Sequence, residues 1–321
     1  MLGSPKELLG VDFGATRIRM ALSRKMQSGS RLIAVACRET RDYVADDVLH
    51  NEEAVAEILR DLTHELGVRR APVVCALPAR ACHVSHIPFP SMTALERRTA
   101  AEIQARQYHP ECERIAVCLK PADDGRGSYV VGSVSRAAVV SRVNVLRKAH
   151  LRPVWIEHEG QALARLYSSA DAILDIGGRS SSLHLTREMS IKTTTVDIGS
   201  DEITHGIAQD LGLTTRDAER RKRILGSAGS GDRALHGVIR AIRDAIFAAR
   251  ASGGTIQNLA VVGSGSRMAG LREALESSAQ LHIGDDLPQA LLASEYPIDV
   301  LRAARCEWSL CVALSAMDSA A

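Results

Sequence analysis

Aromatic side chains are scarce in this 321-residue chain, with two Trp, five Tyr and three Phe. Net charge is low as well, at +2, and the arginines are scattered rather than clustered. Together these give no reason to expect a nucleic-acid partner. No CxxC pair occurs among Cys37, Cys75, Cys82, Cys112, Cys118, Cys306 and Cys311. An odd number of unpaired-looking cysteines reads as reduced thiols in a cytosolic protein, several of them packing as small apolar residues. No run approaches the roughly 18 apolar residues of a membrane span. The opening MLGSPKELLG lacks the apolar h-region of a secretory signal. Any membrane association is therefore expected to run through a partner. GxxxxGK[ST] is absent, which excludes a Walker-type loop. What remains is an ordinary apolar content and a length that can bury a substantial core in two lobes.

Two stretches stand out. Residues 171–185 read DAILDIGGRSSSLHL. Ala172, Ile173 and Leu174 suit a buried strand, Asp175 follows, Gly177 and Gly178 break the pattern, and Leu183 and Leu185 restart a period-two strand. A strand, a tight glycine turn and a second strand leave backbone N–H groups and the hydroxyls of Ser180, Ser181 and Ser182 around one concavity. A bare glycine backbone lets a phosphate approach closely. Asp175 is placed to hold a magnesium ion, directly or through water. Residues 8–22, LLGVDFGATRIRMAL, repeat the pattern with Asp12, then Gly14, Ala15 and Thr16, then alternating Ile18, Met20 and Leu22. One such loop is common in ordinary hairpins. Two, about half the chain apart, suggest an internal repeat with one site between the halves.

The rest of the chain alternates strands and helices. Leu32–Cys37 reads as a return strand, Asn51 as the cap of a helix stopped by Gly67, and Val73–Leu77 as a buried strand. Residues 79–150 look like an insertion. It holds a strand through His83, Ser85 and Ile87, and a helix opened by a Thr93–Glu96 capping box. Two strands follow, split by the turn Ala122–Gly125, and then a helix with Val139, Val140, Val143 and Leu146 on its apolar face. Further helices are expected to carry Ile203, Ile207 and Leu211 on one face, and Leu235, Val238, Ile239, Ile242, Ile246 and Phe247 along a long helix. Trp155 and Trp308 read as core or interface anchors. Leu259–Val262 runs into Gly263, Ser264 and Gly265, a strand-to-helix turn that suits a polar ligand. Its glycine spacing is not GxGxxG.

Two Asp-Gly hairpins, an acidic connecting segment and a late strand-GxG-helix turn follow the layout of the actin, sugar kinase and heat-shock-70 ATPase superfamily. Within it the chain resembles the type IV pilus assembly PilM family. The resemblance is carried by LLGVDFGATRIRMALSR, LPARACHVSHIPFP, LERRTAAEIQARQYHP, VWIEHEGQALARLY, VDIGSDEITHGIAQDLGL, DAERRK and NLAVVGSGSRMAGLREAL, from about Leu8 to Leu314. It implies an α/β, two-lobed actin-like (ribonuclease H-like) ATPase fold with a small inserted α/β subdomain. The implied limits are 8–78 for the first part of lobe one, 79–150 for the insert and 151–168 for the connecting segment. Lobe two takes 169–315, with flexible ends at 1–7 and 316–321. It further implies ATP and Mg2+ as ligands, with Asp12, Gly14, Ala15 and Thr16 in the first phosphate loop and Asp175, Gly177, Gly178 and Ser180 in the second. Asp12 and Asp175 attend the metal, and Glu159 orients a water near the terminal phosphate. Glu219 and Lys222 lie near ribose and adenine, and Gly263, Ser264 and Arg267 form the adenosine loop. The implied partner is the N-terminal cytoplasmic tail of the inner-membrane protein PilN, with the pilus motor ATPases as further partners. At most slow ATP turnover is expected.

Two rival readings remain open on sequence alone. A sugar- or acetate-type kinase needs a catalytic acid in the first lobe, for which Asp42, Asp46 and Asp47 are available in a polar stretch. A filament-forming relative of the cell-division actins would sediment with ATP.

Overall fold

The computed structural model describes residues 7–27, 29–40, 43–45, 47–68, 70–122, 127–186, 191–284, 296 and 298–317. Residues 1–6 and 318–321 of the ends expected to be flexible lie outside this set. So do Asp123–Gly125 of the expected turn, and Asp42, Asp46 and the Cys306 side chain.

The chain opens with β1 (Glu7–Phe13), β2 (Arg17–Lys25) and β3 (Ser30–Glu39), then a short ribbon of β4 (Val44–Ala45) and β5 (Val48–Leu49), α1 (Glu52–Glu65) and β6 (Pro72–Leu77). The inserted stretch supplies β7 (Cys82–Pro88), α2 (Ala94–Arg106), β8 (Ile115–Pro121), β9 (Ser128–Ser135) and α3 (Arg136–Lys148). β10 (Arg152–His158) and α4 (Glu159–Leu166) lead into β11 (Ala172–Ile176), β12 (Ser181–Leu185) and β13 (Lys192–Val196). Then come α5 (Ser200–Leu211), α6 (Thr215–Leu225), α7 (Asp232–Ala251), β14 (Asn258–Val262), α8 (Leu271–Ala279), β15 (His282–Ile283) and α9 (Ile298–Ser315).

Two five-stranded sheets repeat one another strand for strand. The first runs β3-β2-β1-β6-β10 and the second β13-β12-β11-β14-β15. In each, the first three strands are antiparallel neighbours and the last three are parallel. The parallel strands need crossover connections, and helices supply them. β6, sequence PVVCAL, is buried at every position, as a strand covered on both faces must be. A separate antiparallel sheet, β7-β9-β8, lies within the inserted stretch and packs Ile87 and Val131 against Ala101 of α2.

Helices α1 and α3 cover one face of the first sheet, with Leu59, Leu62, Val145 and Leu146 against Val11, Met20 and Val73. Helices α5 to α8 build the core of the second. A third cluster joins the sheets, bringing Val74 and Ala76 of β6 together with Ile173, Ala260, Leu163 and Leu314. Gly10 sits where α9 crosses β1. A Cβ there would meet the carbonyl of Cys311 and stand 2.6 Å from the amide of Ser315. The missing side chain is what allows the helix so close.

Several expectations are corrected by the packing. Helix α9, assigned to lobe two with everything from 169 to 315, packs chiefly on β1 and β2 of the first sheet. On α3 the buried positions are Ala138, Ser141, Arg142, Val145 and Leu146, and Val140 points to solvent. The face is turned because Arg142 finds carbonyl acceptors inside. Leu211 and Phe247, placed on the apolar faces of α5 and α7 by sequence, are exposed. Trp155 lies half exposed on the edge strand β10 and is not a core residue.

Candidate functional site

The two hairpin tips have the same geometry. At the first, the Gly14 amide donates to the Arg17 carbonyl at 3.0 Å. At the second, the Gly177 amide donates to the Ser180 carbonyl, also at 3.0 Å. A Cβ on either glycine would stand 2.8 Å from the oxygen that its own amide binds. The turns are therefore closed to side chains at those positions, as bare-backbone anion cradles require. Both tips line one cleft of about 140 Å³ between the sheets. Of the residues singled out by sequence, the cleft gathers Asp12, Gly14, Ala15, Thr16, Glu159, Asp175, Gly177, Gly178, Ser180, Gly263 and Ser264. Glu159 opens α4, with its Oε1 accepting from the Ala79 backbone N–H at 2.8 Å. Gly263 is held at φ +87, and a Cβ there would strike the Asp175 carboxylate and the Ile176 carbonyl. That contact sets the third loop directly against the second tip.

Glu219, Lys222 and Arg267 do not line the cleft. Lys222 is 2% exposed, and its ammonium gives one bond each to the Ser200 carbonyl (2.9 Å), Thr204 Oγ1 (2.7 Å) and Glu219 Oε2 (2.7 Å). All three donors are committed inside the lobe. Glu219 also accepts from Arg223 Nε at 2.8 Å. Glu307, unremarked in the sequence, reaches from α9 to bridge Arg223 Nη1 (2.9 Å) and Arg267 Nη1 (3.1 Å). This ion pair ties the loop after β14 to the helix that rides on the first sheet. Other cleft-lining residues missed by sequence are Arg19, Arg80 and Arg142. Their helix and strand contexts carry no local signal, because each is placed by partners far along the chain.

The family of type IV pilus assembly protein PilM matches residues 10–284. The chain belongs to this family. A solved PilM-PilN type IV pilus biogenesis complex is similar at 23% identity and TM-score 0.86, covering 97% of this chain and 98% of that one. Ethanolamine utilization protein EutJ from Carboxydothermus hydrogenoformans follows at 15% identity and TM-score 0.63, over 98% and 91%. The MamK double helical filament is similar at 12% and 0.55, over 97% and 98%. These likenesses show the two-lobed actin-like fold. A comparison with curated protein sequences finds no match. Among the described residues no helix is long and apolar enough to cross a membrane.

For a PilM-family chain the question is whether the cleft fits a magnesium nucleotide, and its electrostatics supply the test. Asp12 Oδ2 lies 3.4 Å from Arg19 Nη1, yet burial still raises its pKa above the ordinary carboxylate value. Burial, then the charge of Asp175, pushes Glu159 up to about 8. Burial, then the charge of Asp12, pushes Asp175 up to about 7. Three buried acids thus share one cleft, and Asp12 has Arg19 as a direct partner. A divalent ion would relieve that crowding. No group of three or more His, Cys, Asp or Glu among the described residues forms a ready-made metal cage. Magnesium is held by one or two carboxylates with retained waters and substrate phosphates, and Asp12 and Asp175 both line the cleft. The enclosed volume is below the range of about 300–1,000 Å³ of pockets that bury a whole small ligand. A volume of that size is on the scale of a charged group with an ion rather than of a whole ligand.

Proposed function

We propose that the chain is a cytosolic scaffold of type IV pilus assembly that binds ATP with magnesium between its two sheets and docks the short cytoplasmic tail of the inner-membrane protein PilN. The observation that carries the nucleotide part is the convergence of both hairpin tips, with Asp12, Asp175 and Glu159, on one cleft. Asp12 and Asp175 attend the ion. Gly14, Ala15, Thr16, Gly177, Gly178 and Ser180 cradle phosphates, and Gly263 and Ser264 border the sugar and base. Arg267 reaches the nucleoside only by leaving Glu307, and Glu219 with Lys222 support that rim from beneath. The tail-docking part is supported by the family and by the likeness to the PilM-PilN complex. The inserted stretch 79–150 and the neighbouring first lobe form its groove. Membrane association follows from that partner.

Turnover is slow or absent in this reading. A carboxyl with its pKa raised to about 8 holds its proton at neutral pH, so Glu159 is a poor general base until a cation enters the cleft. Binding and a change in lobe arrangement suffice for a scaffold. The sugar-kinase reading loses its one described acid, because Asp47 is committed to Arg80 Nε at 2.8 Å.

Two measurements test the proposal. Mg-ATP should raise the melting temperature, and a synthetic PilN tail peptide should bind the purified chain. A melting temperature unmoved by millimolar Mg-ATP removes the nucleotide part. A peptide without affinity removes the docking part.

A further inference from the structure

Helix α3 carries an arginine whose placement is unexplained by packing alone. Arg142 is 1% exposed. Its Nε donates to the Ala76 carbonyl at 3.1 Å, and its Nη1 donates to the carbonyls of Asp47 (2.8 Å) and Ala138 (2.9 Å). No carboxylate pairs with it among the described residues, although Asp12, Asp47 and Glu159 lie within electrostatic reach. Its Nη2 donates to no protein atom among the described residues, and the side chain lines the cleft. A buried guanidinium held by carbonyl dipoles and the Phe13 ring, 5.9 Å from its Cζ, with carboxylates near but none in contact, is costly. An anion at the open Nη2 would supply what is missing, and a phosphate matches the planar donor geometry of arginine.

We propose that Arg142 binds the terminal phosphate of the nucleotide, so that the inserted stretch distinguishes a triphosphate from a diphosphate. The assignment rests on the nucleotide reading above. Polarity of the cleft selects the terminal phosphate. Gly263 and Ser264 border one side, next to the Glu307 ion pairs. Arg142 borders the side formed by the end of β6, Asp47 and Glu159. A nucleotide with its nucleoside at the glycine turn after β14 extends its phosphates between the two tips toward Arg142. The arginine also links the cleft to the sheet of the inserted stretch, because Ala138 and Arg142 share α3, which packs on β8 and β9. Occupation of Nη2 by a terminal phosphate therefore pins α3 to the cleft wall, and its release on loss of that phosphate loosens the same helix.

The test is calorimetric titration of the full chain with Mg-ATP, a non-hydrolysable ATP analogue and Mg-ADP. For Arg142→Gln, binding of the triphosphates should weaken about ten- to a hundredfold, the range for a lost charge-assisted hydrogen bond. Binding of Mg-ADP should stay within about threefold. Arg142→Lys should recover part of the loss. Equal weakening of ATP and ADP, or no weakening of either, overturns the assignment while leaving the nucleotide reading in place. A wild-type chain that binds neither nucleotide overturns that reading and this assignment with it. Arg142→Gln also removes three internal hydrogen bonds, so a second measurement uses the unsubstituted chain. The guanidinium nitrogen resonances of Arg142, identified from the Lys variant, should shift with the ATP analogue and not with ADP. Identical spectra in the two complexes contradict the assignment.

Discussion

The two hairpin tips share a backbone and differ in charge. Each turn closes with the same amide-to-carbonyl bond, each follows an Asp one strand position from its end, and each sits beside a parallel strand. Directly across the ladder from Asp12 stands Arg19, and directly across from Asp175 stands Ser182. The first tip brings its own counter-ion. The second places Ser182 opposite its carboxylate, so the charge of Arg19 reaches Asp175 only from the other tip. A duplicated cradle has thus been made asymmetric by one cross-strand residue, and the second tip is where an incoming cation gains most.

The largest effect should come from removing the acid that has no cation opposite it on its own hairpin. Asp175→Asn is expected to lower Mg-ATP affinity on the order of a hundredfold, with the apo chain melting no lower than wild type, since a crowded buried charge is gone. Asp12→Asn should cost roughly tenfold, because Arg19 already offsets that charge. Equal losses would erase the asymmetry. Converting the first tip into the second sharpens the same point. Arg19→Ser leaves Asp12 buried without its partner and should destabilise the apo chain by on the order of 3 kcal/mol in a denaturant melt, with part of the loss recovered by Mg-ATP.

A smaller effect concerns pH. Folded-state pKa values of Glu159 and Asp175 are raised, from 4.5 to about 8 and from 3.8 to about 7. Their contribution to stability is fully present below pH 4 and is lost as pH climbs toward 8, because the folded state keeps protons that the unfolded chain releases. The apo melting temperature should fall across that window, and Glu159→Gln should flatten the fall. A flat wild-type profile would contradict the crowding. The smallest effect is at the rim. Glu307→Gln weakens the bridge to Arg223 and Arg267 and should change nucleotide affinity by only about threefold, as expected for a partly exposed ion pair, measured by the same titration.

Local signals made the tips legible in the sequence. Asp, glycine and period-two alternation are all set within fifteen residues. The Thr93–Glu96 capping box is likewise local, and both of its hydrogen bonds form. Asn51 caps α1 through the Ala54 amide for the same reason. What was illegible depends on distant atoms. Arg142 sits in RAAVVSRVNVLRK, whose apolar face by sequence runs through Val139, Val140, Val143 and Leu146. Two of its three acceptors are carbonyls 66 and 95 residues away. Turning it inward swings Val140 out. Glu307 gains its role only where α9 returns to the first sheet, and no periodicity within α9 announces that return. Glu219 and Lys222 entered only through the resemblance, and nothing local marks Lys222 as locked inward, since Ser200 and Thr204 of α5 take its remaining donors.

The central claim is that both tips grip one ligand. A double-substitution cycle in Mg-ATP titration tests it most directly, using Asp12→Asn, Asp175→Asn and the combination. If the two acids attend one ion, the double variant should lose much less affinity than the two single losses combined. Fully additive losses, or single variants that bind Mg-ATP as wild type does, would show that the tips do not act on a shared nucleotide.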